Sequence, residues 1–261
     1  MTSMMIEDLF AVRDKVIVVT GGGRGIGRMI AHGFVTNGAR VYISSRKLDD
    51  LKTAGNEFAA LGSCEVVQAD LATGDGRQHL IDTITAREGK LDVLVNNAGF
   101  GWVEPLDEFS ETGFDKVMDI NVKALFYLTQ GFLPLLEQSG TSTRRSSVIN
   151  VGSTEGNKIT PQLNFNYGAS KAAVHYLTRK LAFHLAERNI RVNAIAPGAF
   201  ESRMQPNLET KEGRAASIAG VPLRRIGEPT DMAAVAIYLA AVASENVTGE
   251  IVTVDAGFHL A

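Results

Sequence analysis

A short β-branched segment that runs directly into a glycine-rich turn constrains the fold of this chain more than any other feature. Residues 15–20 read Lys-Val-Ile-Val-Val-Thr, residues 21–27 read Gly-Gly-Gly-Arg-Gly-Ile-Gly, and a helical pattern follows from Arg28 to Asn37. A buried strand, a glycine-rich turn and a helix N-terminus form a phosphate-binding site, because unpaired N–H groups and the helix dipole attract an anion. A plain tight turn is the alternative, but it does not require so many glycines.

The spacing of the glycines selects among the phosphate-binding turns. The G-x-G-x-x-G pattern fails, because Ile26 and Arg28 stand where glycine is required. The P-loop pattern fits as far as Gly27 but then requires lysine and serine or threonine, where the chain has Arg28 and Met29. A longer turn of the dinucleotide-binding type remains. Its predicted cofactor-binding residues are Thr20, Gly21, Gly23, Arg24, Gly25, Ile26 and Gly27.

The end of the second predicted strand, residues 40–44, indicates which dinucleotide binds. An acidic side chain at this place bonds the adenosine 2′-hydroxyl of NAD, but the chain continues with Ser44-Ser45-Arg46-Lys47. Arg24 and Arg46 would form a small basic pocket that suits a 2′-phosphate. The alternative is a solvated helix N-terminus, where the helix dipole disfavours cations. We therefore predict NADP(H) as the cofactor, with Ser45 and Arg46 at its phosphate.

Strand and helix patterns alternate along the rest of the chain. Further strands are predicted over residues 65–69, 91–95, 147–153, 190–196 and 250–254, and helices over 48–61, 76–88, 112–137, 172–187 and 229–242. This alternation predicts an α/β fold with a doubly wound, Rossmann-like, mostly parallel seven-stranded sheet and helices on both faces. No linker, repeat or low-complexity tract appears, so we expect a single domain over residues 1–261. Residues 199–228 are predicted as a mobile, substrate-binding lid.

Tyr167 and Lys171 lie four residues apart in the segment Tyr-Gly-Ala-Ser-Lys. Residues at this spacing share one face of a helix, so the phenol and the ammonium point into the same space. Tyrosine has a pKa of about 10, and a fixed cation nearby lowers this pKa toward the range of an acid/base catalyst. A surface tyrosine and a surface lysine would give the same short pattern, so the pair alone does not identify a site.

Composition and charge exclude several classes of protein. A chain of 261 residues, 45% of them hydrophobic, is long enough for one large core. No apolar run of about 18 residues and no signal-peptide pattern appears, so we expect a cytoplasmic protein that does not enter a membrane. Cys64 is the only cysteine, which fits a reducing compartment, and the five histidines show no metal-ligand spacing. The net charge of −3 provides no general attraction to nucleic acid.

With its motifs taken in order, the chain resembles the short-chain dehydrogenase/reductase family over nearly its entire length. The matching residues are Thr20, Gly21, Gly25, Gly27, Asp70, Asn96, Asn97, Ala98, Gly99, Asn121, Ser153, Tyr167, Lys171, Pro197 and Gly198. Each motif alone is weak evidence for the family, but the complete set in this order is highly specific for it. The resemblance implies an NAD(P)-dependent oxidoreductase that acts on alcohols and ketones and is commonly a homotetramer.

The resemblance also implies a role for each catalytic residue. Tyr167 is the acid/base and Ser153 holds the substrate oxygen. Lys171 binds the nicotinamide ribose and adjusts the pKa of Tyr167. Asn121 supports a water relay, although the helical pattern alone would make it an ordinary surface residue. Further cofactor contacts are expected at Asp70 and Leu71, near the adenine edge, and at Asn97, Ala98, Gly99, Pro197, Gly198 and Ser202.

Two positions depart from the family pattern. The serine usually lies thirteen residues before the tyrosine, whereas Ser153 lies fourteen before Tyr167, and Thr154 would satisfy the usual count. We predict Ser153 nevertheless, because residues 151–153 have the usual context of a strand end and the loop at 160–165 has room for one more residue. Ser202 stands where threonine often bonds the nicotinamide amide, and it keeps the hydroxyl.

The predicted function is NADPH-dependent reduction of a ketone to a secondary alcohol, with a 3-oxoacyl thioester of acyl carrier protein or CoA as the substrate. Residues 197–204 and 255–260 resemble bacterial 3-oxoacyl reductases, in particular the type associated with rhamnolipid synthesis. A sugar, polyol or steroid substrate is an alternative. Substrate choice depends on residues such as Phe100 and Trp102, and the sequence does not determine which substrate they select. A catalytically silent NADP-binding regulator is a further alternative, which the intact catalytic set disfavours.

A carrier-bound substrate would require a basic surface for an acidic acyl carrier protein. Arg144 and Arg145 precede the fifth strand, and Arg188 ends the helix that carries Tyr167. In the 3-oxoacyl reductases of the family, basic residues in these two regions form such a docking site. The alternative is a solvated loop and a cation that is favourably placed at a helix C-terminus. The sequence leaves both interpretations open.

Overall fold

Seven β-strands form one sheet in the computed structural model of this chain, which describes residues 4–261. The strands are β1 (Val16–Thr20), β2 (Arg40–Ser45), β3 (Cys64–Gln68), β4 (Val93–Asn96), β5 (Ser146–Val151), β6 (Ile190–Pro197) and β7 (Ile251–Val254). Their order is β3-β2-β1-β4-β5-β6-β7, and each neighbouring pair is parallel. The predicted Rossmann-like fold is confirmed.

Helices cover both faces of this sheet. The α-helices are α1 (Ile6–Leu9), α2 (Gly25–Thr36), α3 (Leu48–Ala59), α4 (Gly74–Arg87), α5 (Glu111–Met118), α6 (Ala124–Ser139), α7 (Phe165–Leu185), α8 (Lys211–Ala219) and α9 (Pro229–Ala240). Ile17 and Val19 of β1 pack with α2, α3 and α9, whereas Val16 and Val18 pack with α4, α6 and α7. Burial on both faces explains why the strands appear as continuous apolar runs. Within residues 4–261, no helix is long and apolar enough to cross a membrane.

The strand order reverses between β1 and β4, which pair at Val18 and Leu94. In open parallel sheets, ligands bind at such a reversal, in the crevice outside the carboxyl ends of the strands. Thr20 ends β1, Ser45 ends β2 and Pro197 ends β6. The fold therefore brings the predicted site residues to one edge of the sheet.

Two segments differ from the sequence prediction. The helix expected over residues 112–137 is interrupted, because α5 ends at Met118 and a π-helical turn, Asp119–Lys123, precedes α6. Residues 199–228, for which the sequence predicts neither a helix nor a strand, contain a 3₁₀ turn at Pro206–Glu209 and helix α8. The Thr210 hydroxyl caps α8 by accepting from Gly213 N at 3.1 Å. Apolar periodicity does not reveal α8, because none of its residues is buried.

Candidate active site

The glycine-rich turn between β1 and α2 forms an open cradle. Gly21 and Gly25 have φ angles of 68° and 53°, in the left-handed region that favours glycine. A Cβ on Gly23 would lie only 3.1 Å from the backbone of Asp50. Helix α2 begins at Gly25, so its first N–H groups belong to the same turn. The cradle fits a pyrophosphate group, which requires close backbone approach and N–H donors.

Thr20 connects this cradle to the loop that follows β4. Its hydroxyl donates to Val95 O at 3.2 Å and accepts from the N–H groups of Asn97 and Ala98 at 2.9 Å each. The Asn97 side chain returns a hydrogen bond from Nδ2 to Thr20 O at 2.8 Å. These bonds hold the predicted cofactor residues Asn97, Ala98 and Gly99 beside the glycine turn.

Arg24 and Arg46 both lie where the glycine turn meets the end of β2. Gly21 N donates to Ser44 O at 2.6 Å, which joins the turn to this strand. Ser45 Oγ accepts from the backbone N–H of Lys47 at 3.3 Å. Arg46 is exposed and has no ion-pair partner among the described residues. The structure thus presents Arg46 with its charge available to an anion.

The other predicted cofactor residues follow the ends of β3 and β6. Asp70 comes after β3, and its Oδ1 accepts from Ala72 N at 3.2 Å; Leu71 beside it is buried. Pro197 ends β6, and Gly198 N donates to Val254 O at 3.0 Å. Ser202 Cβ would lie 3.5 Å from a Cβ on Gly25. The segment after β6 therefore reaches across to the glycine turn.

Tyr167 and Lys171 share one side of α7, as their spacing predicts. The Lys171 side chain is 5% exposed, and its Nζ donates to Val151 O at 2.8 Å. Nζ also lies 5.5 Å from the centre of the Tyr167 ring. Burial lowers the pKa of Lys171 to about 8, because the charged ammonium loses hydration. The last residue of β5 thus fixes the ammonium beside the phenol ring.

The pKa of Tyr167 does not follow the sequence prediction. Burial raises this pKa to about 12, the Ser153 side chain nearby opposes the rise, and the Glu155 carboxylate adds to it. The prediction that Lys171 lowers the pKa of Tyr167 is therefore wrong. In this structure the ammonium of Lys171 donates to a backbone oxygen. A phenol with this pKa is neutral at physiological pH, which is the form that a proton donor requires.

Ser153 follows β5 and begins the 3₁₀ turn Thr154–Gly156. Its Oγ accepts from Glu155 N at 3.2 Å, and the same side chain lies near enough to the Tyr167 phenol to lower its pKa. Both Ser153 and Thr154 are buried, so exposure does not distinguish them. The contact with the phenol favours Ser153 over Thr154 as the residue that acts with Tyr167.

Asn121 lies in the π-helical turn and is 2% exposed. Its Nδ2 donates to Phe100 O at 3.0 Å and to Ser170 Oγ at 2.8 Å, and its Oδ1 accepts from Phe100 N at 2.8 Å. Ser170 Oγ in turn donates to Tyr167 O at 2.7 Å. The side chain fastens the loop after β4 to the helix of Tyr167, so the surface interpretation of Asn121 is wrong. Single π turns are frequent at functional sites.

His175, which the sequence analysis does not single out, packs behind the turn that carries Ser153. A Cβ on Gly152 would lie 2.3 Å from its Nε2, so the ring fills the space beside this glycine. Nδ1 lies 3.2 Å from Asn157 Oδ1, and Nε2 has no hydrogen-bond partner in the described part of the chain. Burial, assisted by nearby cations, lowers the pKa of His175 to about 4, so the ring is neutral. Its place one turn after Lys171 is the signal in the sequence that points to it.

Arg144, Arg145 and Arg188 lie at the opposite edge of the sheet, before the first residues of β5 and β6. Arg145 pairs with Glu245 at 3.5 Å, and Arg188 pairs with Glu137. At about 1.5 Å per helical residue, Arg188 lies roughly 30 Å from Tyr167. Within one chain, these arginines therefore do not flank the predicted catalytic residues.

Comparison with known proteins agrees with this arrangement. A family model described as enoyl-(acyl carrier protein) reductase matches residues 21–259. The rhamnolipids biosynthesis 3-oxoacyl-[acyl-carrier-protein] reductase of Pseudomonas aeruginosa is 40% identical over 252 residues, 96% of this chain and 98% of the relative. The 7alpha-hydroxysteroid dehydrogenase of Escherichia coli is 33% identical over 255 residues, 97% of this chain and 98% of the relative.

A solved structure of Pseudomonas aeruginosa RhlG in an active-site complex with NADP is also similar. It matches with a TM-score of 0.93 and 39% sequence identity, and the match covers 96% of this chain and 98% of that chain. The chain therefore belongs to the short-chain dehydrogenase/reductase family. It is an oxidoreductase with a nicotinamide dinucleotide cofactor, as predicted. The relatives differ in substrate.

Proposed function

We propose that this chain is an NADPH-dependent reductase that converts a 3-oxoacyl thioester to the 3-hydroxyacyl thioester. The observation that carries the reaction is the position of the Ser153 side chain near the Tyr167 phenol, where it opposes the rise of the Tyr167 pKa, beside the buried Lys171. Two neutral hydroxyl groups at one point are suited to bind a carbonyl oxygen and to protonate it. The proposed catalytic residues are Asn121, Ser153, Tyr167 and Lys171.

The proposed mechanism divides the reduction between the cofactor and these side chains. NADPH supplies the hydride to the carbonyl carbon. Ser153 and Tyr167 donate hydrogen bonds to the carbonyl oxygen and stabilise the negative charge that develops there. Tyr167 then gives its proton to this oxygen, which is favourable because even a phenol pKa of about 12 lies below that of an alcohol. The ammonium of Lys171, 5.5 Å from the ring, stabilises the phenolate that remains.

The residues of the crevice would hold NADPH from end to end. The glycine turn at residues 21–27 provides the cradle for the pyrophosphate, and Arg24 and Arg46 provide cations for the 2′-phosphate. Asp70 and Leu71 would meet the adenine. At the other end, Pro197, Gly198 and Ser202 would contact the nicotinamide, and Lys171 would bond its ribose.

An apolar rim beside the catalytic residues supports an acyl chain as part of the substrate. Val103 and Leu106 are exposed in the loop after β4, and Ile159 and Leu163 are exposed in the loop before α7, with Ile159 97% exposed. Glu104 N donates to Leu163 O at 3.1 Å, which joins the two loops. Exposed apolar side chains on two joined loops suit the binding of apolar groups, and a sugar would gain little from them.

Oxidation of NADPH with a panel of ketones tests the proposed substrate. We expect kcat/KM for 3-oxoacyl thioesters to exceed that for sugar and steroid ketones and to rise with chain length. Burial of one methylene contributes up to about 0.8 kcal/mol, or roughly fourfold in kcat/KM. Ile159→Ser should flatten this dependence, whereas the matched change Leu61→Ser, after the end of α3, should not. A sugar or steroid ketone as the best substrate would contradict the proposal.

The acyl group is proposed to arrive on an acyl carrier protein, and the relative named for this reaction supports that choice. Arg144, Arg145 and Arg188 support it less, because two of them are ion-paired and all lie far from Tyr167 within one chain. The same panel with carrier-bound and CoA-bound forms of one acyl group decides between the carriers. A preference for the CoA thioester would exclude the carrier protein as the main donor.

A homotetramer is also part of the proposal. Tyr127 on α6 and Tyr176 and Phe183 on α7 expose large aromatic surfaces. A shallow groove of about 300 Å³ lies where the π-helical turn and α6 meet α7, lined by Met118, Asp119, Val122, Lys123, Phe126, Tyr127 and Leu177. A large apolar surface on two adjacent helices supports association with a second copy of the chain.

Replacing Arg46 with aspartate is expected to abolish the preference for NADPH over NADH. The change removes a cation from the 2′-phosphate, adds a like charge, and offers an acceptor to the 2′-hydroxyl of NADH. If each of two charge effects contributes about 1.4 kcal/mol, the ratio of kcat/KM values falls roughly 100-fold. Steady-state kinetics with both cofactors measures this ratio, and Lys52→Asp on exposed α3 surface is the control. A wild-type preference for NADH would refute the proposed cofactor.

A further inference from the structure

Asp50 connects the two sides of the cofactor crevice through two arginines. On one side, Arg24 of the glycine turn places its Nε 3.9 Å from Asp50 Oδ2. On the other side, Arg203 of the segment after β6 meets both carboxylate oxygens, with Nη1 to Oδ2 and Nη2 to Oδ1 at 3.4 Å each. Asp50 lies in the first turn of α3 and is mostly buried, whereas both arginines are about half exposed.

The residues around Arg203 lie directly over the proposed path of the dinucleotide. Ser202 Cβ would be 3.5 Å from a Cβ on Gly25, in the cradle proposed for the pyrophosphate. Met204 Cε would be 3.5 Å from a Cβ on Gly101, a position that is also 3.8 Å from the Tyr167 ring. Residues 202–204 thus span from the glycine turn to the catalytic tyrosine. A dinucleotide that extends from Arg46 to Tyr167 must move this segment or pass beneath it.

The charges at Asp50 favour an exchange with phosphate. One carboxylate faces two guanidinium groups, so the cluster has an excess positive charge and unused N–H donors. Ion pairs at partly exposed sites contribute little to stability. Arginine binds phosphate through short, charge-assisted and often bidentate bonds, which are stronger. The phosphate groups of a dinucleotide are therefore able to displace Asp50 from both arginines.

We propose that Asp50 is a specificity-determining residue for the cofactor. Its ion pair with Arg203 forms a latch across the crevice, and Asp50 releases both Arg24 and Arg203 when the phosphate groups of NADP(H) bind to them. This inference rests on the proposed use of NADP(H). NADH lacks the 2′-phosphate and competes only for Arg203, through its pyrophosphate. Asp50 therefore opposes the binding of NADPH more than that of NADH, and it couples cofactor binding to release of the segment over the substrate site.

The substitution Asp50→Asn keeps the size of the side chain and removes its charge. We expect the Kd for NADPH, measured by fluorescence titration, to decrease at least about threefold, and the Kd for NADH to change less. An unchanged or increased Kd for NADPH would mean that Asp50 only orients Arg24, and would overturn the inference. Equal tightening of both cofactors would overturn its role in specificity.

Asp49→Asn is the matched control, because it makes the same change of net charge one residue earlier. Asp49 is exposed and has no ion-pair partner among the described residues. We expect this variant to bind both cofactors as the wild type does. If Asp49→Asn lowers the Kd for NADPH as much as Asp50→Asn does, the tighter binding results from the change in net charge alone. That result would contradict the latch.

Limited proteolysis gives a second measurement that does not depend on turnover. Without cofactor, trypsin is expected to cleave after Arg203 several-fold faster in Asp50→Asn than in the wild type or Asp49→Asn. Equal rates would contradict the latch. The wild-type cofactor preference separates this inference from the proposed function: a preference for NADH contradicts the function, whereas a normal NADPH preference with no effect of Asp50→Asn contradicts the latch alone.

Discussion

Replacing Tyr167 with phenylalanine is expected to lower kcat about 100-fold or more, while the Kd for NADPH changes little. The substitution removes one hydroxyl, which the proposed mechanism uses to bind and protonate the carbonyl oxygen. General acid catalysis typically contributes about 10²- to 10⁴-fold to a rate. The ring remains in place beside Lys171, so the cofactor crevice keeps its shape. NADPH oxidation gives kcat, and fluorescence titration gives the Kd.

Tyr176→Phe is the matched control for this experiment. Tyr176 lies on the same helix, α7, but its side chain is 65% exposed. Its loss of a hydroxyl should leave kcat and cofactor binding unchanged. If Tyr167→Phe retains more than about a tenth of the wild-type kcat, the proton donor is another group.

Replacing Lys171 with methionine is expected to remove most of the turnover and, at the same time, to stabilise the fold. Burial lowers the pKa of Lys171 from 10.5 to about 8, and each pKa unit corresponds to about 1.4 kcal/mol. Burying the charged lysine therefore costs about 3 kcal/mol at neutral pH. Loss of the hydrogen bond to Val151 O offsets about 1 kcal/mol of the gain. The free energy of unfolding should thus increase by about 2 kcal/mol.

The pH dependence of this gain provides a further check. Because the native pKa of Lys171 is depressed, the unfolded state binds its proton more tightly. The destabilisation caused by burying the charged ammonium is fully present below about pH 8 and disappears as the pH rises toward 10.5. Urea denaturation should show that the stability advantage of Lys171→Met over the wild type is smaller at pH 10 than at pH 7. Lys180→Met, at an exposed position of α7, should show no such trend. A Lys171→Met variant less stable than the wild type at pH 7 would contradict the expectation.

Features set by neighbouring residues were predictable from the sequence. The turn at residues 21–27 depends on glycines that permit left-handed backbone, and two of them adopt it. Tyr167 and Lys171 share a helix face because four residues make about one turn. The alternation of apolar strands and amphipathic helices specified the doubly wound sheet, since parallel strands must bury both faces. The seven predicted strands are all present in the structure, with ends shifted by only a few residues.

Only the tertiary structure decided how distant segments meet and what environment they create. The π turn at Asn121 depends on its bonds to Phe100 and Ser170, which are far away in the sequence. The pKa of Tyr167 depends on burial, and burial is a property of the packed site. Asp50 meets Arg203 across 153 residues of chain. Local patterns encode backbone conformation and face, whereas desolvation and long-range pairing arise only when the elements pack.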